Sequence, residues 1–427
     1  MSHPARPGEA APASPCVPFP PPAPAGHLNL AQAAQRGPLP DFLPTGDSVA
    51  DVVPVVAPTG DHIWLVTGFD LGRKVLTDDR FSRAAAVAPT APAIHPLRPD
   101  PAALTSLDPP QHTRLRRLVN RSFTPQAVAR LEDGIRHTAR RLLAGRTRID
   151  LVAQYAMPLS ATTICRVLGV PEADHAHFAG LADQALGITT GIFEEQSLAR
   201  DALRDYIRHL IAEARRRPGG HMLGALATAH DESGTLSHQE LTALVELLLN
   251  AGYETSVGQL GLTVVALLDH PEQWRLLATA AHPEHAPSAA VEELLRYAPV
   301  VPMSFSRVAR QDLVLGTVRI RAGEAVVVSL LHAGFDPRTH PNASRLDVTR
   351  PHARHLTFGH GAHTCLGAQL ARTQLRVALE ELAAAAPGLT PRVPLRSLRW
   401  RRPEAVVRGP VALPVTLSGN APGTRAS

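Results

Sequence analysis

The chain has 427 residues, 43 of them Lys or Arg and 38 Asp or Glu, for a formal net charge of +5. At roughly 150 residues per domain, that length alone suggests two or three domains. The small basic excess is spread along the chain without a nucleic-acid-binding motif, which argues against DNA or RNA as a partner. No stretch approaches the ~18 uncharged apolar residues a membrane span requires, so no membrane anchor is expected. Three cysteines, Cys16, Cys165 and Cys365, make neither a CxxC pair nor a disulfide framework, which fits a reducing compartment such as the cytoplasm.

Residues 1–26 are dense in Pro and Ala, including Pro18, Pro20, Pro21, Pro22 and Pro24. Such a composition cannot bury a core and predicts a disordered tail. The segment 84–104 is similarly rich in Pro and Ala and reads as an irregular loop. In DPPQHTRLRRLV, His112 and Arg116 are four apart on one helix face. Cys165, inside ATTICRVLGV, reads as helix core. From Ser237 to His270 a largely apolar helical run opens with a capping box of Ser237 and Glu240 and stops at Pro271. At 1.5 Å per residue it extends on the order of 50 Å, long enough to cross a domain, and it should be buried. Its middle, Ala251-Gly-Tyr-Glu-Thr255, is a polar break where Gly252 and Thr255 are expected to loosen the helical ladder and leave room for dioxygen or water. Taken alone, Glu254 and Thr255 would more often be solvated or back-bonded helix residues.

Further along, Glu293 and Arg296 in VEELLRYAP are three apart, which by spacing alone is a surface ion pair of little worth. SFSRVARQDLVL is strand-like and carries Arg307. The segment Phe358-Gly-His-Gly-Ala-His-Thr-Cys-Leu-Gly367 follows, with Gly359 and Gly361 letting a turn pass close to a flat ligand. Cys365 stands just ahead of AQLARTQLRVALEELAA, where Leu375, Leu379 and Leu382 recur at helical spacing. Free N–H groups and the positive end of the macrodipole at a helix start favour thiolate over thiol, which makes this sulfur a natural metal ligand.

These ten residues match in full the haem-binding signature FGxGxHxCxG of the cytochrome P-450 superfamily, and the chain resembles its soluble bacterial members along nearly its whole length. A lone cysteine more often simply packs; five fixed positions around Cys365 set it apart. The resemblance implies a mainly α fold with a small β-rich part, built as one haem domain over residues 27–420 around the long central helix, with residues 421–427 a flexible tail. It implies haem b, iron protoporphyrin IX, with Cys365 as the axial thiolate that pushes electron density toward O–O cleavage. Phe358, Gly359, Gly367 and Ala251 are expected against the cofactor. His112, Arg116, Arg307 and His363 match the family's propionate partners, in keeping with the donors that anions seek, and His355 is a further polar contact. Glu254 and Thr255 resemble the family's acid–alcohol pair, which relays protons to bound dioxygen and is commonly missing from relatives that run on peroxide. Glu293 and Arg296 are expected to join Arg345 in a buried network. Leu346 stands where an aromatic residue is usual, and AGFDP replaces the more frequent ANRDP, two departures that bear on loop packing.

The activity so implied is that of a haem-thiolate monooxygenase, which uses dioxygen and two electrons to hydroxylate a small, largely hydrophobic molecule, a secondary metabolite. Leu247, Leu248 and Ala251, then Val300, Val301 and Met303, the 84–104 loop and residues Ala405, Val406 and Val407 are expected to wall the pocket, whose apolar lining suits such a substrate. The chain has no dinucleotide fingerprint, so a ferredoxin or flavodoxin with an NAD(P)H-dependent reductase is the implied electron source. Exposed arginines such as Arg117 and Arg121 would suit an acidic donor. Two other readings stand beside this one. The same oxidant could serve oxidative coupling, ring formation or desaturation, or the fold could be a non-catalytic docking module, against which Cys365, Thr255 and Glu254 all count.

Overall fold

Ser237 starts the helix around which the rest is arranged. Its hydroxyl accepts from Glu240 N at 3.1 Å while the Glu240 carboxylate accepts from Ser237 N at 2.9 Å, so the capping box is formed on both sides. The helix runs as His238–Asp269, 32 residues, with buried side chains on every face, among them Leu244, Leu248, Tyr253, Val257 and Leu267. Each buried Leu or Val contributes about 1.5–3 kcal/mol relative to exposure, which is why so apolar a helix lies inside. The computed structural model describes residues 51–95, 98–188, 193–231, 236–279, 287–351, 353–401 and 406–418. The tails 1–26 and 421–427, Cys16 and Ala405 fall outside these.

The expected break in the central helix is absent: Ala251–Thr255 is continuous α-helix. Gly252 serves packing instead. A Cβ there would lie 2.5 Å from Ile164 Cδ1, on the neighbouring helix Met157–Leu168, which also buries Cys165 as read from its sequence. One turn past Thr255, a Cβ on Gly258 would lie 2.5 Å from Arg408 O. The absence of side chains at these two points lets a neighbouring helix and the backbone at Arg408 close directly on the middle of the central helix.

Helix Ala368–Ala385, following Cys365, packs against Glu132–Leu143 and against the central helix. Buried Tyr155 donates to Ala378 O at 2.8 Å. Arg136 binds Glu380 and Glu381 across this contact at 2.7 and 2.8 Å, and Glu132 on its own helix at 3.1 Å.

The β-rich part holds the other wall. Its five strands lie in the order Val52–Val56, His62–Val66, Ala325–Val328, Arg307–Ala309, Phe81–Ser82. Only His62–Val66 and Ala325–Val328 are parallel, with Ile63 opposite Ala325; Arg307 faces Val326 in an antiparallel pair. Ala325–Val328 is buried along its length, as a central strand covered on both faces should be. Arg148–Asp150, Pro414–Thr416 and Thr390–Pro391 form a separate small sheet. The 84–104 segment is irregular between two helical turns, Arg83–Ala86 and Leu104–Ser106, with residues 96–97 outside the described set.

Candidate functional site

The cysteine loop is set by two glycines. Gly359 and Gly361 have φ of 68° and 73°, in the left-handed region that side-chain-bearing residues avoid. A Cβ on Gly361 would also lie 2.7 Å from Leu76 O. Cys365 N donates to Phe358 O at 2.7 Å, closing the turn. Gly367 caps helix Ala368–Ala385, and its backbone N–H draws the Cys365 pKa down. Burial pushes the Cys365 thiol up, against the pull of that N–H and of Arg116 and Arg372. The side chain nevertheless presents exposed surface, so the sulfur faces a recess inside the fold rather than bulk water.

Polar groups gather beside it. The rings of His112 and His363 lie 4.1 Å apart. His112 and Arg307 are buried. Burial, His112, Arg307 and Arg83 depress the His363 pKa to about 3, and burial brings Arg307 to about 10. Among the described residues the Arg307 side chain makes one long bond, 3.4 Å to Phe305 O. Arg116 is otherwise engaged: its two terminal nitrogens donate to Ala362 O at 3.0 Å and Thr364 O at 2.6 Å, bracing the cysteine loop. His355 is bound to Glu292 at 3.1 Å rather than left for a cofactor. Phe358 lies under the Arg372 guanidinium, 4.6 Å from its ring centre.

On the central helix, Ala251 is exposed amid buried neighbours, and the Thr255 hydroxyl donates to Ala251 O at 2.6 Å. Glu254 does not bond Thr255. It pairs with Arg401 at 3.2 Å, a residue the sequence reading missed. Burial raises the Glu254 pKa while Arg401 and Arg200 oppose the rise.

Glu293 and Arg296 are wholly buried and joined by two 2.7 Å bonds. The third member of the network is Arg350, at 3.0 Å from Glu293, and not Arg345. The Arg345 side chain is exposed; its carbonyl accepts from Arg296 at 3.2 Å and Arg350 at 3.1 Å. The loop turns over between these arginines, with Asp347 N donating to Glu293 at 3.0 Å, which carries Arg350 inward.

A model of the family described as Cytochrome P450 matches residues 287–382. Nocardicin C N-oxygenase of Nocardia uniformis subsp. tsuyamanensis is 41% identical over 366 residues, 84% of this chain and 90% of that one. The chain belongs to the cytochrome P450 family. The mycinamicin IV hydroxylase/epoxidase of Micromonospora griseorubida is 40% identical, over 84% of this P450 and 90% of that protein. The crystal structure of SgvP, a putative thioether synthase involved in the tailoring step of griseoviridin, superposes with a TM-score of 0.78 at 37% identity, covering 86% of this P450 and 93% of SgvP. The protein is a P450 monooxygenase with the mainly helical fold of that family.

The residues present fit a haem. A single cysteine sulfur, Cys365, with exposed surface would serve as the one protein ligand that a haem iron needs; among the described residues, no three His, Cys, Asp or Glu side chains group to hold a metal ion. Nearby lie buried cationic side chains with unused donors, Arg83 Nη2 among them, which suit an anion. The pocket residues divide. Ala251 and Val406 present open surface, whereas Leu248 and Val300 are buried in core clusters, Val300 against Leu262 and Val407. Leu247, Val301 and Met303 are half-buried at cluster edges. Phe305, 47% exposed and next to the cation cluster, was not anticipated. Among the described residues no helix is long and apolar enough to cross a membrane.

Proposed function

We propose that this P450 is a single haem-thiolate domain that oxidises a small, largely hydrophobic secondary metabolite, with dioxygen and electrons from a ferredoxin or flavodoxin and its NAD(P)H-dependent reductase. The observation that carries the reading is Cys365, held at a glycine turn, with the Gly367 N–H favouring its thiolate, and facing a recess beside buried cationic groups. Haem b, when bound through Cys365, supplies the iron chemistry that reduces dioxygen and oxidises an unactivated C–H bond.

The chain's own residues do the rest. The Gly367 N–H stabilises negative charge on the sulfur. His112, His363 and Arg307 hold the propionates, and Arg116 fixes the loop that carries Cys365. Thr255 gives its hydrogen to Ala251 O, which leaves its lone pairs free to accept from a water or substrate hydroxyl. Glu254, with a pKa raised by burial, exchanges protons nearer neutrality than an exposed carboxylate. Arg401 restrains that carboxylate. Ala251, Phe305 and Val406 offer apolar surface to the substrate.

Support for a secondary metabolite comes from the relatives' names, nocardicin C and mycinamicin IV. The likeness to SgvP, a putative thioether synthase, favours a second reading in which the same oxidant forms a bond or ring. Turnover under ¹⁸O₂, with reduced ferredoxin and a metabolite that moves the haem from low to high spin, tests both. Hydroxylation places one labelled oxygen in the product for each two electrons; coupling or ring closure leaves the product unlabelled. If haem-loaded protein with reduced ferredoxin turns over no such metabolite, the proposed substrate class and electron donor fail.

A further inference from the structure

Arg83 opens the helical turn Arg83–Ala86 and is buried. Asp108 fixes that turn: one carboxylate oxygen accepts from Arg83 N at 2.9 Å, the other from the Ser82 hydroxyl. The Arg83 side chain then runs inward. Its Nε donates to Thr105 O at 2.8 Å, its Nη1 to Ser306 O, and its guanidinium stands 5.1 Å above the Phe305 ring. Its Nη2 is buried with no partner among the described residues.

Two more buried groups on the same segments share that condition. Ser106 Oγ, one residue past the Thr105 carbonyl that Arg83 binds, has no partner among the described residues, nor has Oγ of Ser306. Ser306 precedes Arg307, whose guanidinium has, among the described residues, only the long bond to Phe305 O. Asp108 is the acid closest in effect to both arginines. Its oxygens already accept from Ser82, from the Arg83 and Ala84 amides, and from Arg310 at 2.6 Å. Burying hydrogen-bonding groups without partners costs about 1–3 kcal/mol each, more when they are charged. An enclosed cluster of two guanidiniums and two hydroxyls therefore calls for an anion with several acceptor oxygens. A carboxylate has that form.

We propose that Arg83 is a further cofactor-holding residue, its Nη2 donating to a haem propionate that Arg307 also binds, with the Ser106 and Ser306 hydroxyls completing the contacts. The inference rests on the haem reading above. It gives the site a second guanidinium beside Arg307, a place that Arg116, spent on the Ala362 and Thr364 carbonyls, does not fill.

The test compares holo wild type with Arg83→Gln and Arg83→Lys, each loaded with haem or with haem dimethyl ester, which lacks free propionates. Haem transfer to excess apomyoglobin and the ferric/ferrous potential are measured. With haem, Arg83→Gln should release cofactor roughly tenfold faster or more, the equivalent of one charged hydrogen bond. Its potential should fall, since a positive charge beside the cofactor is gone, and Arg83→Lys should recover part of both changes. With the diester, wild type and Arg83→Gln should release cofactor at the same rate. Equal acceleration with haem and with the diester would assign Arg83 to bracing Thr105 and Ser306 and overturn the proposal, as would an unchanged release rate and potential. If Arg83→Gln accumulates without haem, Arg83→Lys and Ser306→Ala carry the same comparison. A wild type that binds no haem at all is a separate failure, of the haem reading itself.

Discussion

Replacing Arg350 by Ala should destabilise this protein far more than replacing Arg345, although the two are five residues apart on one loop. The Arg350 guanidinium donates to Glu293 Oε2 at 3.0 Å and to the carbonyls of Pro341, Asn342 and Arg345 at 2.9, 3.2 and 3.1 Å. Its side chain is 12% exposed and that of Glu293 is 0% exposed. Breaking a buried pair by removing one partner costs ~3–5 kcal/mol. Arg296 still neutralises Glu293 through two 2.7 Å bonds, so the lower figure, about 3 kcal/mol, applies. At ~2.1 cal/mol/K of unfolding entropy per residue, a chain this long should lose on the order of 3–4 °C in Tm. Arg345→Ala keeps the carbonyl that Arg296 and Arg350 use and removes only an exposed side chain, an effect within about 0.5 kcal/mol. Thermal unfolding of the holo-protein, followed by circular dichroism and by the haem Soret band, measures both. Equal losses for the two variants, or an unaltered Arg350→Ala, would refute this account of the network.

Other expectations can be checked alongside. Burial opposes ionisation of Glu292, but its bonds to His355 and Arg372 hold its pKa down to about 2. Its contribution is therefore present above the unfolded carboxylate value and lost as pH falls toward 2; in urea titrations the deficit of Glu292→Gln should be full at pH 6–7 and shrink below about pH 4.5, and a deficit constant with pH would contradict this. Thr255→Ala should keep consuming reductant while diverting oxygen to peroxide, and coupling equal to wild type would remove Thr255 from proton delivery. Arg401→Met should move the pH dependence of coupling upward, because Arg401 opposes the burial-driven rise of the Glu254 pKa; an unmoved profile would mean that Glu254 does not titrate in the reaction. Arg117 and Arg121 are exposed, and Arg117→Glu should slow the first electron from an acidic ferredoxin, with the rate falling as salt shortens the Debye length below ~10 Å; a rate indifferent to both changes would place the donor elsewhere.

What could be read in the sequence depended on how local the physics was. The capping box of Ser237 and Glu240, the turn glycines Gly359 and Gly361, and the helix start at Gly367 are settled within a few residues, and each has its expected form. Glu293 and Arg296 were legible as a pair for the same reason. Their third partner was not, because Arg345 and Arg350 both lie within reach of such a loop. Which side chain turns inward is decided by the Asp347 amide binding Glu293, a contact 54 residues apart in sequence. The polar break at Ala251–Thr255 was misread as a loosened ladder. Gly252 answers to Ile164 and Glu254 to Arg401, 147 residues away. Arg83 carried no signal in its own neighbourhood; its burial follows from Thr105 and Ser306, brought together by a sheet pairing Phe81 with Ala309.

The central claim is that Cys365 is the axial thiolate of a bound haem. Its most direct measurement is the absorption spectrum of the reduced protein under carbon monoxide, for wild type and Cys365→Ala. Wild type should give the strongly red-shifted Soret band of thiolate-bound haem, and Cys365→Ala should lose it. A wild-type band of the imidazole type, or a thiolate band surviving in Cys365→Ala, would contradict the assignment.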